Sequence, residues 1–389
     1  MEEIDIVIVG GGIAGLATSL ALHRKGIESV VLERGDRVRS EGAGIGTLAN
    51  GWRALDHLGV SHVLRPTSLR IHKVRTVLVH NGKHRELASP ISDEARCLKR
   101  DDLVRALADA GSQIVSINLD ETTSFPVLQL SHGVTIKAKV LIGCDGANSM
   151  VADFLKLSPK KAFPSGAVRG FAFYPNGHGF PQELLRMKIG NTMSGRLPVT
   201  HNLVFWFAHL QDSSKVGIVA KDQEAIANLT LDSMRDFPED WKEMVKNCDV
   251  HSLSLYHLKY KSPLNIMFGK FRKGTVTVAG DAMHVMGPFI GQGGSAALED
   301  AVVLARCLAK KLGWDDGVKG SSAKRIGEAL DEYVNERRMR LVGLSTQTYL
   351  TGHLLRTSSV VVRLMLLLFL IVLFGRSQFR HTRYDCGRL

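Results

Sequence analysis

Cysteine is scarce in this chain of 389 residues: Cys97, Cys144, Cys248, Cys307 and Cys386 are widely spaced and form no CxxC pair. That spacing argues against a disulfide framework or a structural zinc site, and a reducing compartment is expected. No apolar run reaches the roughly 20 residues that span a bilayer. The longest, residues 364–374, has 11 uninterrupted apolar positions. Aromatic residues are thin at 6%, and no basic group is interleaved with them as a base-stacking surface would be. A base-stacking surface is therefore not expected, and nucleic acid is not an expected partner. Acidic residues are in the minority, 38 against 50 Lys and Arg, for a formal net charge of +12. The basic residues fall in small groups along the whole chain, which reads as a solvated surface or as attraction for a phosphate-bearing cofactor or anionic substrate.

What is present is ordinary globular composition, 44% hydrophobic and 23% charged, with 38 glycines that follow no triplet period. Disordered, collagen-like and coiled-coil chains are excluded. The length predicts two or three domains. The expected fold is α/β: a Rossmann-like nucleotide-type domain with a parallel sheet, built from residues 1–165 and 266–345, interrupted by a β-rich second domain over 166–265. A C-terminal helical tail over 346–389 completes the expectation. Residues 6–9 read as a strand buried on both faces, 14–25 as a helix stopped by Gly26, and 29–33 as a second strand. Further strands are expected at 134–144 and 275–279, with helices at 50–58, 100–110 and 294–311.

The segment Val360–Phe374 is apolar except for Arg363 and is followed by Arg376, Arg380, His381 and Arg383. It is expected to be a helix buried against the body or lying at an interface, with peripheral membrane contact or a membrane anchor left open. No signal or transit segment is expected before the first strand, which suggests a cytoplasmic protein, with a plastid or peripheral membrane location as alternatives.

Three clusters carry chemistry. Gly10, Gly12 and Gly15 form GxGxxG between the first strand and first helix, where glycines permit a tight turn, close pyrophosphate approach and close packing. Glu33 follows Gly15 by 18 residues, at the end of the second strand, and suits ribose hydroxyls, favouring FAD or NAD over NADP at this site. The second cluster runs from Gly143 through Asp145, Gly146 and Ser149 to Val151; its acid could hold hydroxyls or simply build an Asx turn. The third runs from Gly280 and Asp281 through His284, Pro288, Gly291, Gln292 and Gly293 to Gly294, a carboxylate beside a glycine-rich helix entry with free backbone N–H groups. His284 reads as a packed or hydrogen-bonding histidine, and no metal site is expected.

These clusters, in this order over about residues 4–345, resemble the class A FAD-dependent monooxygenases. Residues 41–46, 50–59 and 381–387 resemble the plant salicylate-hydroxylase-like and zeaxanthin-epoxidase-like group. The resemblance implies an enzyme that uses FAD, with NAD(P)H as transient co-substrate and O2. It would hydroxylate or epoxidise a small aromatic or alkene substrate through a flavin C4a-hydroperoxide. Gly10, Gly12, Gly15 and Glu33, with Arg34 beside them, would hold the ADP half of FAD. Arg100 would lie near the pyrophosphate, Asp145 would serve FAD and the nicotinamide cofactor, and Asp281 would bind the ribitol chain. Pro288, Gly291, Gln292, Gly293 and Gly294 would line the isoalloxazine, and no protein side chain is assigned a catalytic role. A flavin reductase or dehydrogenase, and a non-catalytic FAD-fold binding protein, are the alternatives. Two departures stand out: Ala152 occupies a position where the family usually has Arg, and the junction 109–114 is unusually short. Among Phe171, Phe173, Phe205, Trp206 and Phe207, alternate rings could roof a flat apolar ligand or simply form sheet core.

Overall fold

The structure, a computed structural model, describes residues 2–389 apart from 36–43, 81, 109–113, 121, 122, 124, 131–133, 191, 211–221, 313–321, 358 and 376–378. The 109–114 junction thus falls almost wholly outside the described residues.

Strand Glu2–Val9 pairs in parallel with Val30–Leu32 on one side and with Thr135–Gly143 on the other. Val276–Val278 extends the parallel arrangement, and Arg272–Lys273, Pro126–Leu130 and Ile114–Leu119 add antiparallel strands to make seven. Ile6–Ile8 point alternately to the two sheet faces and are essentially without exposure on either, in one core with helices Ile13–His23 and Gly293–Lys311, which pack on each other. A continuous apolar strand is what such two-sided cover requires.

A second seven-stranded sheet has the order Ser254–Tyr260, Lys161–Phe173, Leu203–Leu210, Thr192–Thr200, Glu183–Ile189, Lys73–His80 and Lys83–Pro90. Its last two strands come from within residues 1–165, so this sheet is not confined to the expected insert of 166–265. Glu183–Ile189 joins Lys73–His80 in parallel, a long-range pairing that local pattern does not reveal. One face carries Trp206, Val204 and Ala208 against Trp241, Met244 and Ile226 of helices Glu239–Lys246 and Gln223–Ser233. The other face carries Phe205, Phe207 and His209, in strict alternation.

Helix Ser322–Arg356 runs without interruption through position 345, so the expected start of a separate tail lies inside one helix. Helix Val360–Phe374 follows, and none of its residues is buried. Of the two expected placements, burial against the body is corrected here: among the described residues only one stripe of this helix is partly shielded. The last residues do return to the body, where Arg53 donates to the carbonyls of Thr382 and Tyr384 and Arg306 to that of Cys386.

Candidate cofactor cleft and aromatic roof

The site is assembled at the C-terminal ends of the parallel strands. Gly10 has φ +104°, and a Cβ there would stand 2.5 Å from the carbonyl oxygen of Cys144. A Cβ on Gly15 would stand 1.9 Å from the carbonyl oxygen of Gly10. Gly12 differs, with nothing within 4 Å of its Cβ position, so its backbone faces open space. Helix Ile13–His23 starts there with no side-chain cap, leaving first-turn N–H groups for an anion. Gly10 and Gly15 therefore serve close packing, and Gly12 leaves room for a ligand to approach.

Glu33 accepts from Gly11 N–H at 2.7 Å and from Gly35 N–H at 2.9 Å. It ties the glycine turn to the second strand, and each carboxylate oxygen keeps a further lone pair for a hydroxyl donor. Arg34 follows it at the surface. Asp145, directly beside Gly10, accepts from Met150 N–H at 2.7 Å through Oδ2, while its buried Oδ1 has no hydrogen-bond partner. Burial pushes this carboxyl up, against the opposing pull of Ser149 and nearby amides. Ser149 caps helix Met150–Phe154 through Ala152 N–H, and Ala152 is buried.

The third cluster meets the first directly. Gly280, at φ +61°, would place a Cβ 2.7 Å from that of Ala14, so Asp281 emerges next to the glycine turn. Although Asp281 is open to solvent, the protein packed around the cleft raises its carboxyl by desolvation, and Asp300 adds to this; His284 and Arg100 act in the opposite sense. Arg100, half-buried at the start of helix Arg100–Leu107, thus shares a field with Asp281. Pro288–Ile290 and Gly291, at φ +63°, lead into helix Gly293–Lys311. Gly291 and Gly293 have nothing within 4 Å of a Cβ, whereas one on Gly294 would meet Ile45 at 2.4 Å.

Sequence reading missed the side chains that hold these turns. Asp300 accepts from Gly280 N–H at 2.9 Å, pairs with His284 Nε2 at 2.6 Å and receives Arg337 Nε at 2.7 Å. Its neighbour Glu299 receives Arg337, Arg340 and the amide of Asn50 at 2.6–2.9 Å, and Asn50 also donates to Gln292 Oε1 at 2.7 Å. One acid fixes the turn before Asp281 and the other fixes Gln292. Burial opposes ionisation of Asp300, yet His284 and Arg337 bring its carboxyl down to about 2. The available signal was a pair of acids set between the apolar runs Ala296–Leu298 and Ala301–Ala305, which demands buried cations. The trio His57, Asp385 and Cys386 also comes together where the tail meets helix Ala49–His57, unrelated to any expected ligand spacing.

Above the cleft stands the inner face of the second sheet. The Phe205 ring occupies the place a Cβ on Gly44 would need, with its nearest atom 2.3 Å away. His209 meets Phe289 edge-on at 5.9 Å, and Phe289 meets Phe163 edge-on at 5.3 Å. Phe171 joins Phe205 at 5.7 Å, whereas Trp206 faces the opposite core and Phe173 is 51% exposed. Arg186 lies on the same face, in register with Gly195 and Phe207, and its buried Nε has no hydrogen-bond partner. Burial lowers the Arg186 pKa and brings His209 down to about 4, so His209 is neutral near pH 7.

The family pattern described as an FAD binding domain matches residues 3–169 and 234–346. "Monooxygenase 1" of Arabidopsis thaliana is 68% identical over the full length of both chains. This chain belongs to the FAD-dependent monooxygenase family. "3-hydroxybenzoate 6-hydroxylase 1" of Aquipseudomonas alcaligenes is 31% identical, covering 79% of this monooxygenase and 80% of that protein. The crystal structure of Klebsiella pneumoniae HpxO complexed with FAD and uric acid superposes with a TM-score of 0.79 at 18% identity, over 99% and 96% of the two chains. The fold is shared with that flavoprotein. The monooxygenase uses FAD, and its residues fit that group: an open approach at Gly12, an uncapped helix N-terminus, and the unpartnered Oδ1 of Asp145.

Proposed function

We propose that this monooxygenase hydroxylates or epoxidises a small aromatic or alkene substrate, with NAD(P)H and O2 as co-substrates. The observation that carries the reading is the meeting of the glycine-rich cleft with the aromatic sheet face, joined through Phe289 in the Pro288–Gly294 turn. Bound flavin supplies the redox chemistry, accepting a hydride and activating O2 for transfer of one oxygen atom.

The chain's own residues position and shield that chemistry. Gly12 and the first turn of helix Ile13–His23 receive the pyrophosphate, Arg100 adds a permanent positive charge, and Glu33 with Arg34 flanks the adenosine end. Asp281 accepts from ribitol hydroxyls, and Asp145 offers its unpartnered oxygen to the cofactor. The amides at Gly291, Gln292, Gly293 and Gly294 stabilise negative charge on the ring edge, since the entry of helix Gly293–Lys311 has no side-chain cap. Phe171, Phe205 and Phe207 exclude water from the roof, and neutral His209 and Arg186 supply polar contacts to substrate.

The test is NAD(P)H oxidation and O2 uptake by the purified yellow protein across aromatic and alkene candidates, with oxygenated product identified by mass. Oxygenated product supports the proposal. Oxidation of NAD(P)H with no oxygenated product from any candidate points to a reductase, and a chain purified without flavin that fails to bind added FAD points to a binding module.

A further inference from the structure

Helix Val360–Phe374 leaves eleven large apolar side chains exposed, among them Val361 at 67%, Leu364 and Leu368 at 62% and Val372 at 71%. Only Leu366, Leu370 and Phe374, one stripe at i, i+4 and i+8, are partly shielded, and the helix makes contact with helix Ser322–Arg356. The rest of the circumference is apolar and open, apart from Arg363. A surface helix in water keeps a polar face outward, and this one has none to offer. At roughly 1.5 Å per residue it is about 22 Å long, short of the roughly 30 Å hydrocarbon layer. Among the described residues no helix is long and apolar enough to cross a membrane.

The charge around it has one sign. Between Glu336 and Asp385 the sequence holds eight arginines and no acidic residue. Arg337 and Arg340 are consumed by Glu299 and Asp300, but Arg363, Arg380 and Arg383 are exposed. We infer that this helix is a monotopic docking element, embedded in the surface layer of an anionic phospholipid bilayer with its flanking arginines at the headgroups. A bilayer covers every open side of the helix at once, whereas a second copy would cover one face and oppose like charges. The end of helix Ser322–Arg356 that leads into it adjoins the aromatic chamber: Lys188, on the inner sheet face, donates to the Leu355 carbonyl at 2.7 Å, and the His353 ring lies 6.2 Å from that of Phe163.

The experiment is sedimentation of the full-length, flavin-loaded protein with vesicles of phosphatidylcholine alone or with about one third phosphatidylserine, at low and high salt. Binding to the mixed vesicles is expected to exceed binding to neutral ones by at least roughly fivefold and to weaken with salt. The triple variant Leu364→Ser, Leu368→Ser, Val372→Ser is expected to lose at least about tenfold in vesicle affinity. Its flavin content and unfolding midpoint should be unchanged, since the substituted side chains touch solvent. Failure of the folded, yellow wild-type protein to bind either vesicle overturns the inference, as does undiminished binding by the triple variant. A dimer that the triple variant splits, in a protein that ignores vesicles, overturns it in favour of a second copy.

Discussion

Helix Gly293–Lys311 carries Glu299 and Asp300 in its middle and buries both completely, whereas helix Val360–Phe374 carries one charge, Arg363, and buries nothing. The first helix is enclosed because helices Ile13–His23, Ala49–His57 and Ser322–Arg356 pack around it, and each acid finds a cation and a neutral donor within 2.9 Å. Burial follows the surfaces that surround a segment, and hydropathy alone does not decide it. A charged helix can be core if its charges are answered, and an apolar one is left bare when nothing packs on it.

The sharpest way to break this contrast is to remove the answering charge. Arg337→Ala should lower stability by about 3–5 kcal/mol in urea unfolding, because two buried carboxylates lose the one cation they share. Arg363→Ala on the exposed helix should stay within about 0.5 kcal/mol of wild type. If Arg337→Ala cost less than about 1 kcal/mol, the buried network would not be what holds this helix.

Apolar truncation gives the same comparison without charge. Leu304→Ala should cost about 2–5 kcal/mol through a cavity in the core, while Leu368→Ala should leave the unfolding midpoint almost unmoved. Equal effects would mean that the exposed helix is covered in solution.

The two carboxylates at one turn offer a finer comparison. Asp281→Ala is expected to weaken FAD binding roughly 10–100-fold, as lost charge-assisted hydrogen bonds of about 1.5–3 kcal/mol imply, with little change in stability of the apo-protein. Asp300→Ala should lower both. Titration of apo-protein with FAD, alongside thermal unfolding, separates a carboxylate that acts in binding from one that acts in the fold.

The smallest effect concerns pH. His209 and His381 are both brought down to about 4, chiefly by burial, and nearby positive charge adds to it. Each is neutral in the fold and charges more readily when unfolded, so their contribution is complete above about pH 6.5 and is lost as pH falls toward about 4. Asp300, down to about 2, holds its contribution to lower pH and loses it between about 4 and 2. The melting temperature of His381→Gln should therefore fall less steeply than that of wild type between pH 7 and 4.5. Parallel slopes would remove His381 from the account.

Much of the cofactor cleft was legible because its signals are local. A strand, a glycine turn and a helix must follow one another in sequence to make such a turn, and Gly10, Gly12 and Gly15 stand at fixed offsets within it. Asp145 and Asp281 were legible for the same reason, each at the end of an apolar strand. The holding network was not: Asn50, the Gln292 cap and Glu299 of one helix, and Arg337 come from three separate stretches, and nothing local pairs them. Trp206 illustrates the limit within one strand, since alternation separates it from Phe205 and Phe207 without saying which face meets the cleft.

The order of strands and helices in the nucleotide half and the positions of its turns were carried by residue order, because backbone freedom and period are short-range properties. The second sheet's recruitment of residues 73–90, the sorting of its two faces and the solvent exposure of the most apolar helix were settled by packing. Those depend on which distant surfaces meet. A segment's own composition says how much it gains from cover, and only its neighbours in space say whether the cover exists.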